Sequence, residues 1–416
     1  MSDKRFPFPV KTATGCQAKW TWSTLWLTHG STASCHRVKH ENIALEDFQN
    51  FHNTPKKIAD RELMLNGEWP QGGCEYCKDI EQAGGQSDRK FYLEVENISP
   101  HELETNPVAT VVTPKIVEVF LNNTCNLKCV YCDPGLSSSI QKENQEFGNF
   151  AVGGVMINDY NPIVPRRVEY VDQFFIWLEN NYQHIERFHI LGGEPFIQQE
   201  LERCLTFWET HPNPRITINV VSNLMIKEKL MIKHIDHLKR LVESNCIGAL
   251  HITGSIDAWG PGAEFTRYGL DLAQFESNLK YCLTNFAGNP RFRVGIFQVV
   301  TALTLFETPE LLDKVAEWRQ INPDLNYYFQ LNTDWNRDFL HPKYFDNELW
   351  EPVFERIFEK MVDTDPVQEL KGIRSLIYQT PTSPEEIEKC YIFLDEMDRR
   401  RGTNWRDIFP YLLNVV

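Results

Sequence analysis

The sequence is short of basic residues. Lys and Arg number 42 against 57 Asp and Glu, a formal net charge of −15 at pH 7. A chain of that sign repels phosphate, so neither nucleic acid nor an anionic membrane surface is an expected partner. It also lacks any apolar run long enough to span a bilayer. Its first residues, Met1 to Pro7, contain no apolar segment of the kind that exports a chain. Eleven cysteines without such a segment are expected in a reducing cytoplasm, held for metals or left free. What is present is ordinary in bulk. Hydrophobic residues are 42% and charged residues 24% of 416 positions, enough for a large core and two or three domains.

Three of the cysteines are concentrated in one stretch, Asn122-Asn123-Thr124-Cys125-Asn126-Leu127-Lys128-Cys129-Val130-Tyr131-Cys132-Asp133. Before it, Ile116 to Leu121 is apolar and β-rich and reads as a strand. The cysteines therefore follow a strand's C-terminal end, where α/β folds place their chemistry. Three thiolates in one loop can hold three irons of a 4Fe–4S cubane and leave the fourth open. A zinc site would want a fourth local Cys or His, and none lies nearby. Three unrelated core cysteines are the remaining alternative.

This stretch resembles the signature of the radical S-adenosylmethionine superfamily, and Asn126 and Tyr131 also fit that pattern. The resemblance implies that the amino and carboxylate groups of S-adenosylmethionine chelate the open iron. An electron from the cluster then cleaves the sulfonium to methionine and a 5′-deoxyadenosyl radical, which abstracts a hydrogen from substrate. An external electron donor such as a flavodoxin or ferredoxin is implied as well.

Further matches follow. The strand Phe188 to Leu191 ends in Gly192-Gly193-Glu194-Pro195. Glycines permit close backbone approach and proline stops a strand, so a plain β-to-helix turn is one reading. In the family this motif binds the methionine amino group by backbone carbonyl and acidic side chain. Ser222 and Asn223, after the strand Ile216 to Val221, resemble the pair that reaches the ribose or the carboxylate. Leu224 stands where the family has glycine. Ser255-Ile256-Asp257 resembles a strand end lining the cofactor pocket. Arg267 resembles an arginine that salt-bridges the methionine carboxylate, which a guanidinium can hold bidentately; a solvated surface charge is the alternative. Val299, Val300 and Thr301 sit where the family packs adenine, or are simply core. No catalytic residue is assigned.

From Ile116 six strands alternate with helices over about 169–183, 197–209, 226–244, 271–286 and 308–320. The expected fold is α/β: a partial (β/α)6 TIM-like barrel over residues 111–335, open on one side. Residues 136–168 show little periodicity and read as a long loop, a candidate lid. Residues 336–416 read as a C-terminal helical region, with helices from Leu349 to Met361 and from Pro384 to Arg399, the second capped by Ser383. Arg399-Arg400-Arg401 reads as a solvated helix end favoured by the macrodipole. Asn404 to Pro410 is expected to pack back on the barrel. Cys204 and Cys282 fall inside helical patterns and read as core.

Residues 1–110 carry Cys16, Cys35, Cys74 and Cys77. The spacing is Cys16-x13-Gly30-x4-Cys35, then Cys74-x2-Cys77. Four thiolates satisfy either zinc or a fully ligated 4Fe–4S cluster, and spacing alone does not separate the two. His36 and His40 are rival ligands. Trp20, Trp22 and Trp26 read as a hydrophobic strand face. The cysteine pattern resembles the twitch auxiliary-cluster domain, a shortened SPASM domain that normally follows the barrel and here would precede it. The run Arg61 to Gly67, and Glu81 to Arg89 beyond the second pair, carries the same resemblance. It implies an auxiliary 4Fe–4S cluster (alternatively zinc) and a substrate that is a peptide or protein side chain. A small-molecule dehydrogenase, mutase or epimerase is the alternative within the same chemistry. A non-catalytic, metal-stapled binding protein would leave the Gly-Gly-Glu-Pro and Ser-Ile-Asp matches without a purpose.

Overall fold

A computed structural model describes residues 14–35, 37–82, 87, 89–90, 110–157, 166–332 and 335–414. Helix α1 (Gln17–Thr21) runs straight into strand β1 (Trp22–Trp26). Strands β2 (Ser31–Ala33) and β3 (Glu41–Asn42) continue antiparallel. The β1–β2 turn closes at Gly30, whose φ is +60°. A β-carbon there would also stand 2.6 Å from the ring of Tyr170, so only glycine fits. Helix α2 (Pro55–Leu65) starts with proline and is capped by Thr54, whose hydroxyl oxygen accepts from Lys57 N at 3.2 Å. Helix α3 is Cys74–Gln82.

The apolar run that reads as a strand is β4 (Ile116–Phe120), and the cysteine loop after it contains β5 (Lys128–Cys129). Next come α4 (Ser138–Phe147) and a hairpin of β6 (Phe150–Val152) and β7 (Val155–Ile157). Then follow α5 (Arg167–Asn181), β8 (Arg187–Leu191), α6 (Gln199–Thr210), β9 (Asn213–Ser222), α7 (Glu228–Glu243) and β10 (Ile247–Ser255). After α8 (Pro261–Thr266) and β11 (Arg267–Tyr268) come α9 (Leu272–Phe286), β12 (Phe292–Val300), α10 (Thr308–Ile321) and β13 (Asn326–Leu331). The rest is helical: α11 (Asn347–Lys360), α12 (Val367–Gln379), α13 (Pro384–Arg401) and α14 (Trp405–Ile408).

Packing divides the chain into two compact units. One comprises Met1–Asn122, Pro162–Leu191 and His211–Ile218; the other comprises Asn123–Asn161, Gly192–Thr210 and Asn219–Val416. Strand β9 begins in the first and ends in the second. In the first unit the strand order is β9-β8-β4-β1-β2-β3, with β8, β4 and β1 parallel. In the second it is β13-β12-β10-β9, with β13, β12 and β10 parallel. The class is α/β with a largely parallel sheet, as expected. In the first unit the core gathers Val117, Val119, Phe174, Leu178, Phe188 and Ile190; in the second, Leu250, Ile252, Leu279, Ile296 and Trp318. Each such side chain, fully buried, contributes about 1.5–3 kcal/mol.

The six strands counted from Ile116 are β4, β8, β9, β10, β12 and β13, and the five helices between them fall within two residues of expectation. Other expectations fail. Residues 136–168 are not a structureless loop, because α4 and the β6–β7 hairpin lie there. Trp20 belongs to α1, so only Trp22 and Trp26 share a face of β1. Strand β1 lies parallel beside β4, so the N-terminal cysteine region adds strands to the same unit as β4 and β8. Arg400 and Arg401 are not solvated. Arg400 reaches the carbonyl of Gly148 at 2.7 Å, and Arg401 pairs with the buried Glu143 at 3.2 Å. The cap at Ser383 is present, and the C-terminal segment does pack inward: Phe409 meets Phe265 edge-on, ring centroids 5.1 Å apart.

Candidate functional site

The cysteine loop is held by the backbone of each of its three cysteines. The Cys125 N–H donates to Ser138 Oγ at 3.1 Å, and Ser139 Oγ donates back to the Cys125 carbonyl at 2.7 Å. The first turn of α4 thus fixes the first cysteine. Cys129 lies on β5, which pairs antiparallel with β11 so that Cys129 faces Arg267 in register. The Cys132 N–H donates to the Cys129 carbonyl at 3.0 Å, and Arg337 Nη2 donates to the Cys132 carbonyl at 2.8 Å. All three thiols are half-buried and unbridged. Burial pushes Cys125 up to about 12, with Cys129 adding to the rise. Cys129 is raised by burial against the opposing pull of Arg267. Cys132 is raised well above a normal thiol by burial, then by Asp133. Burial thus disfavours the thiolate form of all three.

The Gly-Gly-Glu turn lies against the same loop. The Glu194 N–H donates to the Thr124 carbonyl at 2.8 Å, and the Gly193 N–H to the Leu136 carbonyl at 3.1 Å. Gly193 has φ +58°, and a β-carbon on it would stand 2.4 Å from the Thr124 oxygen. The close approach therefore requires glycine. The Glu194 carboxylate is wholly buried. Its Oε1 accepts from Ser222 Oγ at 2.8 Å and the Phe196 N–H at 3.1 Å; its Oε2 accepts from the Asn223 N–H at 2.7 Å. Burial lifts its pKa to about 7 against the pull of those donors. In this arrangement the acid staples two strand ends together. Asn223 Nδ2 donates to Asn126 Oδ1 at 3.0 Å and lies 3.9 Å from Cys125 Sγ. Leu224, standing where glycine was expected, has φ +53°, the left-handed conformation that glycine takes without strain.

A third group centres on Asp257, which is fully buried. Its Oδ1 accepts from Arg267 Nη2 at 2.9 Å and the Val299 N–H at 2.9 Å. Its Oδ2 accepts from Arg267 Nε at 2.8 Å and Tyr131 Oη at 2.6 Å. Arg267 is buried too, so it is not a surface charge. Asp257 takes its Nε and Nη2. The guanidinium lies 5.7 Å from the Tyr131 ring centroid. Ser255 is buried on β10 two residues before Asp257, and Pro195 opens a buried helical turn. Sequence reasoning missed Ser138, Ser139, Arg337 and Gln298, whose Nε2 donates to the Asp257 carbonyl at 2.6 Å. No motif marks them, because they act on backbone carbonyls and N–H groups.

The other four cysteines all lie in the first unit. Cys16 caps α1, and Cys74 and Cys77 sit one turn apart on α3, both buried. Cys74 packs in a core cluster with Trp20, Val38 and Met64, against which Cys16 and Cys35 also pack. Cys16 feels Cys74 and Cys77, and Cys35 feels Cys16 and Cys74. Burial pushes Cys16 up to about 11 and Cys35 up to about 12. The turn into α3 is fixed by Glu75, whose carboxylate accepts from the N–H groups of Gly72 and Gly73. Of the rival ligands, His40 lies against Trp26, ring centroids 5.4 Å apart, and His36 lies outside the described residues.

Among the described residues, no three His, Cys, Asp or Glu side chains stand close enough to share one metal ion. A single zinc would gather its thiolates at roughly 2.3 Å from one centre. A cubane instead gives each thiolate a different iron and asks for a wider spacing. The chemistry of both donor sets suits that demand: three thiols in one loop, and four in the first unit.

No family model and no curated protein matches the sequence. Among solved structures, the crystal structure of SuiB from Streptococcus suis matches over 73% of this chain and 69% of that one, at 14% identity and a TM-score of 0.34. A likeness that loose carries no argument about activity. No helix among the described residues is long and apolar enough to cross a membrane.

Proposed function

We propose that the chain is a radical S-adenosylmethionine enzyme that takes a hydrogen from a peptide or protein side chain. In this reading residues 111–335 form a partial (β/α)6 barrel, residues 1–110 a twitch-like region with an auxiliary 4Fe–4S cluster, and residues 336–416 a helical extension. One observation carries it. Thr124 and Asn126, on either side of Cys125, bond to Glu194 and Asn223, so three motifs far apart in sequence meet at the first cysteine. Unrelated structural thiols give no reason for that meeting.

Cys125, Cys129 and Cys132 would hold three irons and leave the fourth for the amino and carboxylate groups of S-adenosylmethionine. Bound together there, cluster and cofactor supply one-electron cleavage of the sulfonium and the hydrogen abstraction that follows. The chain's own residues bind and orient. Gly192 and Gly193 offer backbone at close range, and Arg267 would meet the carboxylate. Asp257 holds Tyr131 and Arg267 in fixed positions, and Glu194 keeps the Gly-Gly turn closed on the loop. Cys16, Cys35, Cys74 and Cys77 would hold the auxiliary cluster, which would supply an acceptor for the electron left on the substrate after hydrogen abstraction. A flavodoxin or ferredoxin would supply the separate electron that cleaves the sulfonium. An epimerase, by contrast, needs a hydrogen donor; of the spare thiols, Cys204, Cys282 and Cys390 are wholly buried and Cys246 is half-buried.

Anaerobic reconstitution with iron and sulfide tests the cluster count. Wild type is expected to bind about eight irons, and the Cys125→Ala, Cys129→Ala, Cys132→Ala variant about four. Zinc without iron in that variant would remove the auxiliary cluster from the account.

A further inference from the structure

Strand β12 carries an alternate row of buried side chains: Val294, Ile296, Gln298 and Val300. Three are aliphatic, and the fourth is an amide. A buried amide costs stability unless its donors and its acceptor are engaged, and a methionine fills similar space without that demand. The partners of Gln298 therefore point to its role.

They assign each end of the amide one direction. Its Nε2 donates to the Asp257 carbonyl at 2.6 Å, an atom that can only accept. The same nitrogen donates to Thr308 Oγ1 at 2.8 Å, and that hydroxyl donates on to the Thr304 carbonyl at 3.2 Å. Its Oε1 accepts from the Tyr327 hydroxyl, on β13. Gln298, Asp257, Thr304, Thr308 and Tyr327 are all buried. The next residue of the strand adds a second grip, because the Val299 N–H meets Asp257 Oδ1 at 2.9 Å. Strand β12 thus holds Asp257 both by its backbone and by its carboxylate. Arg267 Nε, Arg267 Nη2 and Tyr131 Oη bring the donors on that carboxylate to four, which fills its lone-pair positions. Asp257 acts through the two side chains it holds.

We propose that Gln298 is a positioning residue for cofactor binding: with its amide set by Tyr327, it fixes Asp257 and, through Asp257, the guanidinium of Arg267. This rests on the reading of Arg267 as the partner of the methionine carboxylate of S-adenosylmethionine. Without the amide, the turn after β10 loses the donor on its carbonyl, and Arg267 moves with the carboxylate that holds it. Removing a support behind a binding group typically costs about ten- to a hundredfold in affinity or activity.

The test uses the full chain with its iron and sulfide restored, and measures the dissociation constant of S-adenosylmethionine by equilibrium dialysis without reductant, so that no turnover enters. Gln298→Met is expected to bind at least about tenfold more weakly than the parent at unchanged iron content. Tyr327→Phe keeps the ring but releases the amide, and should weaken binding in the same direction. The double variant should bind as Gln298→Met does, because the two residues act in one line; losses that multiply overturn that linkage. Leu279→Ala opens a cavity in the core beside α9, lowers the melting temperature, and should bind as the parent does. If it weakens binding as much as Gln298→Met, the loss is one of stability alone and the proposal falls. Equal binding by the parent and Gln298→Met overturns the role of Gln298 and leaves the cofactor reading intact. Where Gln298→Met does not fold, parent-like binding by Tyr327→Phe overturns it. An iron-loaded parent that binds no S-adenosylmethionine overturns both.

Discussion

Asn223 donates its side-chain amide to Asn126 at 3.0 Å, across nearly a hundred residues of sequence. The same side chain turns its oxygen to the Met225 N–H at 2.8 Å. It therefore locks the end of β9 to the residue after the first cysteine. Asn223→Ala removes the partner of both groups. The expected cost is about 1–3 kcal/mol, with a melting temperature lower by a few degrees and poorer iron retention at Cys125, Cys129 and Cys132. Unchanged melting and iron content would show that the lock is not needed.

Asp257→Asn keeps the shape of its side chain but strips the charge from a buried pair. Arg267 would then be an uncompensated cation in the interior. Breaking such a pair costs about 3–5 kcal/mol, read as a lower urea midpoint. A change under about 1 kcal/mol would mean that water reaches Arg267.

Glu194 makes stability depend on pH. Unfolded, it ionises near its ordinary 4.5; folded, at about 7. Between those values the native state keeps a proton that the unfolded state has released. Stability therefore falls as pH rises through this window, by up to about 3 kcal/mol at about 1.4 kcal/mol per unit. Glu194→Gln should lose less stability than wild type between pH 5 and pH 8, and match it below pH 4.5. Parallel stability curves would contradict the buried, raised carboxyl.

Arg401 and Lys128 both pair with Glu143, and Arg401 also lies 5.3 Å from the Tyr268 ring centroid. The end of α13 thus clamps α4 beside the cysteine loop. Arg401→Ala should cost about 1–3 kcal/mol and speed proteolysis within residues 138–157. Arg399→Ala is the control. Its pair with Glu396 is half-exposed and should matter by less than about 1 kcal/mol. Equal proteolysis of the two variants would dissolve the clamp.

These sites differ in how far the sequence exposes them. The six strands from Ile116 and the helices between them are legible, because buried Val117 and Val119, or Leu250 and Ile252, repeat at strand period between amphipathic helices. Helix α4 is not legible. Ser-Ser-Ile-Gln-Lys-Glu-Asn-Gln-Glu-Phe has only Ile140 and Phe147 as apolar residues, and what fixes it is charge from α13, with Glu143 and Arg401 258 residues apart. Strand β1 is legible in Trp22 and Trp26, but its start and its partner are not: it follows directly on a five-residue helix that takes Trp20, and its pairing with β4 is tertiary. In the site, the cysteines and the Gly-Gly-Glu turn can be read from residue type and spacing. That Glu194 faces inward to Ser222 and Asn223, and that Arg267 is already engaged by Asp257, is tertiary information.

The central claim is cofactor cleavage at the cysteine loop, and its most direct test is product release. Reconstituted wild type with S-adenosylmethionine and dithionite is predicted to form methionine and 5′-deoxyadenosine, and the variant lacking Cys125, Cys129 and Cys132 neither. Iron-loaded wild type that leaves S-adenosylmethionine intact, or product formed equally by the variant, would contradict the account.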